Sequence, residues 1–349
     1  NKTYTFIVHN VVDGQGGLEH MNSTVLSVNR WTYAGKQYVD FLNLVAHEYF
    51  HLWNVKRIRP IELGPFNYDE ENYTTLLWVM EGFTSYYDEL ILRRTGFYTE
   101  EEFLAKLQSS INYVEGSPGS RVQPVAHASF DAWVKAYRPN ENSSNTSMTY
   151  YSRGSVLASV IDAMIVADSD GKKCLDHFMQ QLYTTYYEGL KRGFSEAEFK
   201  AELSKFVGKN MDDFFAKYVD GTEIIPYKDF YGPVGLNVQD ITSINPSFGA
   251  NVREEGGKVI VKSVRFGSSA EEAGISVGDE IVGCNAYRVD QSMFEGMMSG
   301  MGNMETCDLL IAREEKLFSV HVTIRPYKKP QFLLTKSTSN EKRLHYWLR

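Results

Sequence analysis

Three side chains in one short run carry the most chemistry: His47, Glu48 and His51, within Val45-Ala46-His47-Glu48-Tyr49-Phe50-His51. Residues four apart share one face of an α-helix, so both imidazoles can reach a single metal ion. Glu48 follows the first histidine directly and so lies beside that metal. There it can take a proton from a water and pass it to a leaving amine, the task of the acid in a zinc peptidase. At about 100° per residue, Phe41, Leu44, Val45 and Leu52 form an apolar stripe, with Glu48 inside it and the histidines along its edge. A carboxylate on a buried face is costly unless a partner offsets it, and a metal centre is such a partner. Residue types and spacing therefore predict one Zn2+ per chain.

A catalytic zinc takes three protein ligands and leaves its fourth position open. The best third ligand is Glu81, in Leu77-Trp78-Val79-Met80-Glu81-Gly82-Phe83-Thr84. Glu62, Glu70 and Glu71, in the loop before that segment, and Glu89, further along it, are the alternatives. Asp88 reads equally as an acceptor that orients a ligand histidine and as a plain helix-surface acid. Lys56, Arg57 and Arg59 follow the histidine helix and read as cations placed favourably near its C-terminal end.

These residues need helices to hold them. Residues 1–35 alternate strand-like runs with Gly-rich turns, whereas 40–220 read as mostly helical. Helices are expected over Asp40–Trp53, Thr75–Arg94, Thr99–Tyr113, Arg153–Ala167, Leu175–Tyr187, Ser195–Val207 and Met211–Val219. Thr99 with Glu102 three residues on predicts a capping box. After Gly221 the texture changes to short β-rich runs broken by Gly over 230–330, among them Lys258–Val264, Leu309–Ala312 and Phe318–Ile324. Residues 331–349 read as a C-terminal tail. The fold class expected is multidomain α+β, with a mainly helical zinc-peptidase domain (1–225) and a small β-rich domain (230–330).

The 349 residues suffice for two or more domains. With 36 basic against 44 acidic residues the net charge is −8, which argues against a nucleic-acid partner. No apolar run is long enough to span a membrane. Cys174, Cys284 and Cys307 are odd in number and form no CxxC pair, so they read as thiols and lean towards a cytoplasmic over a periplasmic compartment. The chain opens on Asn1 and enters at once on the strand-like Tyr4–Val8, from which a missing upstream part is expected.

The run His47-Glu48-Tyr49-Phe50-His51-Leu52-Trp53-Asn54-Val55-Lys56-Arg57-Ile58-Arg59-Pro60 resembles the glycyl aminopeptidase family of zinc metallopeptidases, peptidase family sixty-one. Gly16-Gly17-Leu18-Glu19-His20 is similar to its substrate-binding strand, Trp78–Phe83 to the segment with its third zinc ligand, and Tyr150-Tyr151-Ser152-Arg153-Gly154 to its catalytic tyrosine segment. The C-terminal β region resembles a PDZ domain, most clearly at Gly278-Asp279-Glu280-Ile281-Val282. The resemblance implies a Glu-zincin with a thermolysin-like catalytic fold. It implies that His47, His51 and Glu81 bind zinc, that Glu48 is the general base, and that Tyr151 donates to the oxyanion. A carboxylate near the cleft can also hold a substrate's α-ammonium. Glu19 is expected to do so, with Gly17 and its strand pairing with the extended peptide. The family name implies small first residues such as Gly or Ala.

Two departures stand out. Residues 52–80, twenty-nine of them, separate His51 from Glu81, more than in compact Glu-zincins. The resemblance also implies an N-terminal β domain before the Gly-Gly-Leu-Glu-His strand, and the chain is expected to be the catalytic and C-terminal domains without it. The partners implied are a peptide substrate and a peptide end bound by the PDZ-like domain, with Phe248-Gly249-Ala250 as its carboxylate loop. An endopeptidase and a peptide-binding scaffold with a dead metal site are the competing functions; Glu19 argues against the first, the intact His47, Glu48, His51 and Tyr151 against the second.

Overall fold

A computed structural model describes residues 1–349. Strands β1 (Thr5–Val11), β2 (Gln15–Glu19) and β3 (Ser23–Asn29) form a sheet in the order β1-β3-β2, with β3 parallel to β1 and antiparallel to β2. Side chains alternate across a strand, so β3 turns Thr24, Leu26 and Val28 inward. All three are buried, and the strand packs on helix α1 (Gly35–Phe50). The register places Gly17 opposite Leu26 and Glu19 opposite Thr24, so both belong to the inward face.

The helical part follows with α2 (Leu77–Met80), α3 (Gly82–Arg94), α4 (Glu100–Gly116), α5 (Val125–Phe130), α6 (Ser143–Thr146), α7 (Tyr150–Asp168), α8 (Leu175–Leu182) and α9 (Glu196–Val207). Apolar all round, α7 runs through the centre of the core, packed by α3, α4 and α2. The capping box at Thr99 is present, with side chain and backbone bonded reciprocally to Glu102.

Several boundaries differ from the sequence expectation. Helix α1 begins at Gly35, so Asp40 lies inside it instead of starting it. The helix expected over Thr75–Arg94 starts at Leu77 and is interrupted at Glu81. Helix α7 begins at Tyr150, three residues before Arg153, because the Thr149 hydroxyl accepts from Tyr151 N and supplies the cap. Beyond Leu182 the chain continues as a π-helical turn to Leu190.

The C-terminal strands are β4 (Leu236–Asp240), β5 (Ser243–Ser247), β6 (Ala250–Glu255), β7 (Lys258–Val264), β8 (Glu280–Cys284), β9 (Tyr287–Arg288), β10 (Thr306–Arg313), β11 (Lys316–Thr323), β12 (Arg325–Lys329) and β13 (Phe332–Lys336). The sheet β11-β10-β8-β7-β6, with β9 on β8, encloses its own small core around Val261, Ile281, Phe294 and Leu309. Residues 331–349 are not a tail. Strand β13 pairs with β4, and the helix Glu341–Leu348 inserts Leu344, Trp347 and Leu348 into the main core. Trp347 is fully buried and donates its Nε1–H to the Tyr86 hydroxyl at 2.8 Å. The reason is legible afterwards: Leu344, Trp347 and Leu348 have the i, i+3, i+4 spacing of a helix's apolar stripe. No helix is long and apolar enough to cross a membrane.

Candidate active site

Helix α1 delivers His47 and Glu48 in its last turn, and His51 caps its C-terminus with helical φ and ψ. The break at Glu81 faces them. His47 Nε2 and His51 Nε2 each lie 3.3 Å from the same Glu81 oxygen, Oε2. Ligand atoms of His47, His51 and Glu81 all fall within 4.8 Å of one another. Glu62 and Glu89, two of the alternative ligands, are near Thr74 and Lys106 instead.

Three glycines explain why these segments meet. A Cβ on Gly82 would lie 2.4 Å from Gly154 Cα, and one on Gly154 would lie 2.4 Å from the Trp78 carbonyl. The α2–α3 break and α7 therefore touch backbone to backbone, which carries Glu81 and Tyr151 to the same place. On the other side, a Cβ on Gly17 would lie 2.4 Å from Glu48 Cδ, so β2 presses its bare backbone onto the general-base candidate.

Behind the ligands is a polar support. His47 Nδ1 is 2.9 Å from Asp88 Oδ2, and Asn43 donates to the other Asp88 oxygen at 2.9 Å. Asp88 is thus the orienting acceptor, not a surface acid. His51 Nδ1 is 2.8 Å from the Asn54 carbonyl. The fully buried Asn54 amide donates to the carbonyls of Val79 and Met80, tying the end of α1 to the Glu81 break. Asn54 and Asn43 were missed from sequence; both lie within a turn or so of the histidines, but nothing in their type marks them.

With both Nδ1 atoms against acceptors, a neutral imidazole at each position turns its Nε2 lone pair towards Glu81 Oε2. That buried oxygen has no hydrogen-bond partner, and neither has Glu48 Oε2. The cluster needs positive charge. Protons can supply it: burial disfavours the His47 imidazolium, but Asp88 and Glu81 outweigh burial and raise it to about 10. His51 is likewise raised, by Glu81 against its burial. Against its burial, Glu81 is held well below the usual carboxylate range by His51 and His47. Glu48 is pushed up by burial, with the two histidines opposing. A divalent cation supplies the same charge and uses the lone pairs as well. The donor set therefore fits a metal of the zinc type.

Tyr151 lies over His47, ring centroids 6.3 Å apart, and stacks on Tyr150 at 4.8 Å. Burial and the nearby Glu81 keep its phenol protonated far beyond the ordinary range, so it is a donor. Glu19 belongs to the same pocket, with ligand atoms of Glu19, Glu48 and His51 within 4.8 Å of one another. It is not free: Lys56 Nζ sits 3.1 Å from its Oε1. Lys56 thus does more than follow the helix, which its position in a basic run concealed.

Residues 40–157 match the family model described as M61 glycyl aminopeptidase. The whole fold is similar to the crystal structure of an aminopeptidase N family protein from Idiomarina loihiensis, 28% identical, with a TM-score of 0.86 over 99% of this chain; the chain spans 62% of that relative's length. A serine endoprotease from Yersinia pestis (28% identical, 24% of this chain and 30% of that one, TM-score 0.20) and an HtrA-type protease, AlgW, with a decapeptide (12% identical, 24% and 30%, TM-score 0.23) match too little to carry an argument. No curated protein matches. Residues 40–157 thus resemble the M61 glycyl aminopeptidase family, and the overall fold is that of the aminopeptidase N family protein.

Proposed function

We propose that the chain is a zinc-dependent aminopeptidase. The observation that carries this is the convergence of His47 Nε2, His51 Nε2 and the unpartnered Glu81 Oε2, with Glu48 and Glu19 beside them. His47, His51 and Glu81 would hold the ion. When bound, zinc supplies Lewis acidity, polarising the scissile carbonyl and easing deprotonation of a neighbouring water. Glu48, buried and with one free oxygen, accepts that proton and returns it to the leaving amine. Tyr151 donates to the developing oxyanion, where charge appears only in the transition state. Glu19 receives the α-ammonium, and the open edge of β2 pairs with the extended peptide. What this arrangement selects is a free amine; the preference for Gly or Ala implied by the family name rests on no contact in the site.

One contact favours a second reading. Lys56 already neutralises Glu19, as an endopeptidase would tolerate and an aminopeptidase must overcome. Hydrolysis of Gly- and Ala-anilides, free and N-acetylated, with and without chelator, separates the two. Cleavage of free-amine substrates alone, abolished by chelator and by Glu48→Gln, is expected. Cleavage confined to N-blocked substrates would mean an endopeptidase, and activity surviving both treatments would exclude the zinc mechanism.

The strands from β6 to β11 make a PDZ-like domain in this reading, within residues 230–330. Its supports are the open edge of β6, the helix Gln291–Gly300 beside it, and Phe248 packed on Phe294 with ring centroids 5.4 Å apart. Gly249, at φ 85° and against Ser268, lets the loop before β6 turn tightly. A free peptide C-terminus is the ligand class such a groove takes. A panel of C-terminal peptides tests it, and silence across the panel counts against it.

A further inference from the structure

A cavity of about 600 Å3 includes Glu81 in its lining. Glu81 and Tyr150 line it together with Leu77, Trp133, Tyr137 and other hydrophobic residues, and Asn67, Glu70 and Asn72 add polar groups. Its chemistry differs from that of the groove where β2 meets α1. That groove, about 390 Å3, is polar, lined by Gly14, Gln15, Asp40 and Asn43 among others.

The two share no lining residue. Gly17 covers Glu48, and Glu19 lies two residues on, near His51. A peptide whose amine is at Glu19 and whose backbone follows β2 therefore runs back past Gly17 towards Gln15. Its later residues would head towards the groove that Gln15 lines. The aromatic cavity shares no lining residue with β2 or α1. It meets the site only at Glu81 and at Tyr150, whose ring stacks on Tyr151. In the aminopeptidase reading the group whose carbonyl receives the Tyr151 hydroxyl is the first residue. Its side chain is the part of the substrate that leaves the line of β2 at that point.

We infer that this cavity is the subsite for the first residue's side chain, and that the site takes a large apolar or aromatic residue there. A glycine would leave these apolar walls in contact with water. A leucine or phenylalanine would bury its side chain against Leu77, Trp133 and Tyr137, and such burial discriminates by about tenfold or more. The inference rests on the aminopeptidase reading for which residue occupies the cavity, and on the lining alone for the chemistry of that residue.

Rates on free-amine anilides of Gly, Ala, Leu and Phe test it on the intact chain. The value of kcat/KM for Leu and Phe is expected to exceed that for Gly by about tenfold or more, and Trp133→Ala to lower the Phe-to-Gly ratio by about fivefold. If Gly or Ala were the fastest and Leu and Phe about tenfold slower, the subsite inference would be overturned while the aminopeptidase reading stood. A second measurement needs no turnover. In Glu48→Gln protein, leucinol should change tryptophan fluorescence with a Kd about tenfold below that of ethanolamine, and Trp133→Phe should remove the change. Equal Kd values, or a change that survives Trp133→Phe, would overturn the inference. This arm decides the cavity's preference even if anilide hydrolysis shows that only N-blocked peptides are cleaved.

Discussion

Two buried polar clusters flank the start of α7, and they are built on opposite plans. In one, Glu115 at the end of α4 is fully satisfied: Oε1 accepts from Arg153 at 3.1 Å and from the Tyr227 hydroxyl at 2.6 Å, and Oε2 from Arg121. Arg153 also donates to the Glu223 carbonyl, and Arg121 to that of Thr222. In the other, Glu19, Glu48, Glu81 and Asp88 surround two imidazoles, with Lys56 bonded to Glu19, and Glu48 Oε2 and Glu81 Oε2 are left without hydrogen bonds. A network with every valence met holds structure together; one left short of positive charge is prepared to receive something. Tyr151 stands between the two, over His47 and two residues before Arg153. The first cluster lies just behind it in sequence, and its ring faces the second.

Breaking the satisfied cluster should have the largest effect. Glu115→Ala leaves the buried Arg153 without its carboxylate and should cost about 3–5 kcal/mol of stability in urea unfolding. A loss below about 1 kcal/mol would show that the cluster is not structural. The reverse is expected of the unsatisfied cluster. Glu48→Gln should lower kcat by about 10^3-fold, near 4 kcal/mol of barrier, with unfolding free energy unchanged or higher because an unpartnered buried carboxylate is gone. Equal loss of stability in the two variants would erase the contrast.

A third buried acid sharpens it. Asp162 accepts from Tyr86 and from Leu175 N, and no basic side chain pairs with it directly. Burial, opposed by those bonds, raises its carboxyl to about 6. A raised carboxyl pKa favours the protonated folded form, so its contribution to stability is full below the unfolded value near 4 and is lost as pH rises through 6. Asp162→Asn should therefore flatten the stability profile between about pH 4 and 6, by roughly 2 kcal/mol in the difference from wild type. An unchanged difference across that window would refute the assignment.

The smallest effect is expected at Lys56. If Glu19 receives the substrate ammonium as proposed, that ammonium competes with Lys56, so Lys56→Met should lower KM for Gly-anilide by about two- to fivefold, the scale of a partly exposed ion pair, with little change in kcat. A rise in KM would mean that Lys56 orients Glu19 instead.

The spacing of His47 and His51, the acid between them and the helix that carries them were legible because they are local: three residues on one turn have their geometry set by the helix itself. Thr99 and its capping box were legible for the same reason. The start of α7 was not, because Thr149 is an ordinary polar residue until its hydroxyl meets Tyr151 N. The choice of Glu81 over Glu62, Glu70, Glu71 and Glu89 drew on the resemblance, since sequence separation does not limit where a loop returns. Residues 331–349 were misread because their apolar stripe is short and its partner, the main core, is distant in sequence.

The sequence by itself determined the spaced histidine pair, the acid beside it and the helical setting, all properties of neighbours along the chain. Tertiary structure alone decided that Gly82 and Gly154 touch, that Glu81 and Tyr151 therefore meet the histidines, and that Lys56 occupies Glu19. Those contacts join segments from four parts of the chain. Only the packed core, by excluding every looser approach of backbone to backbone, could bring them together.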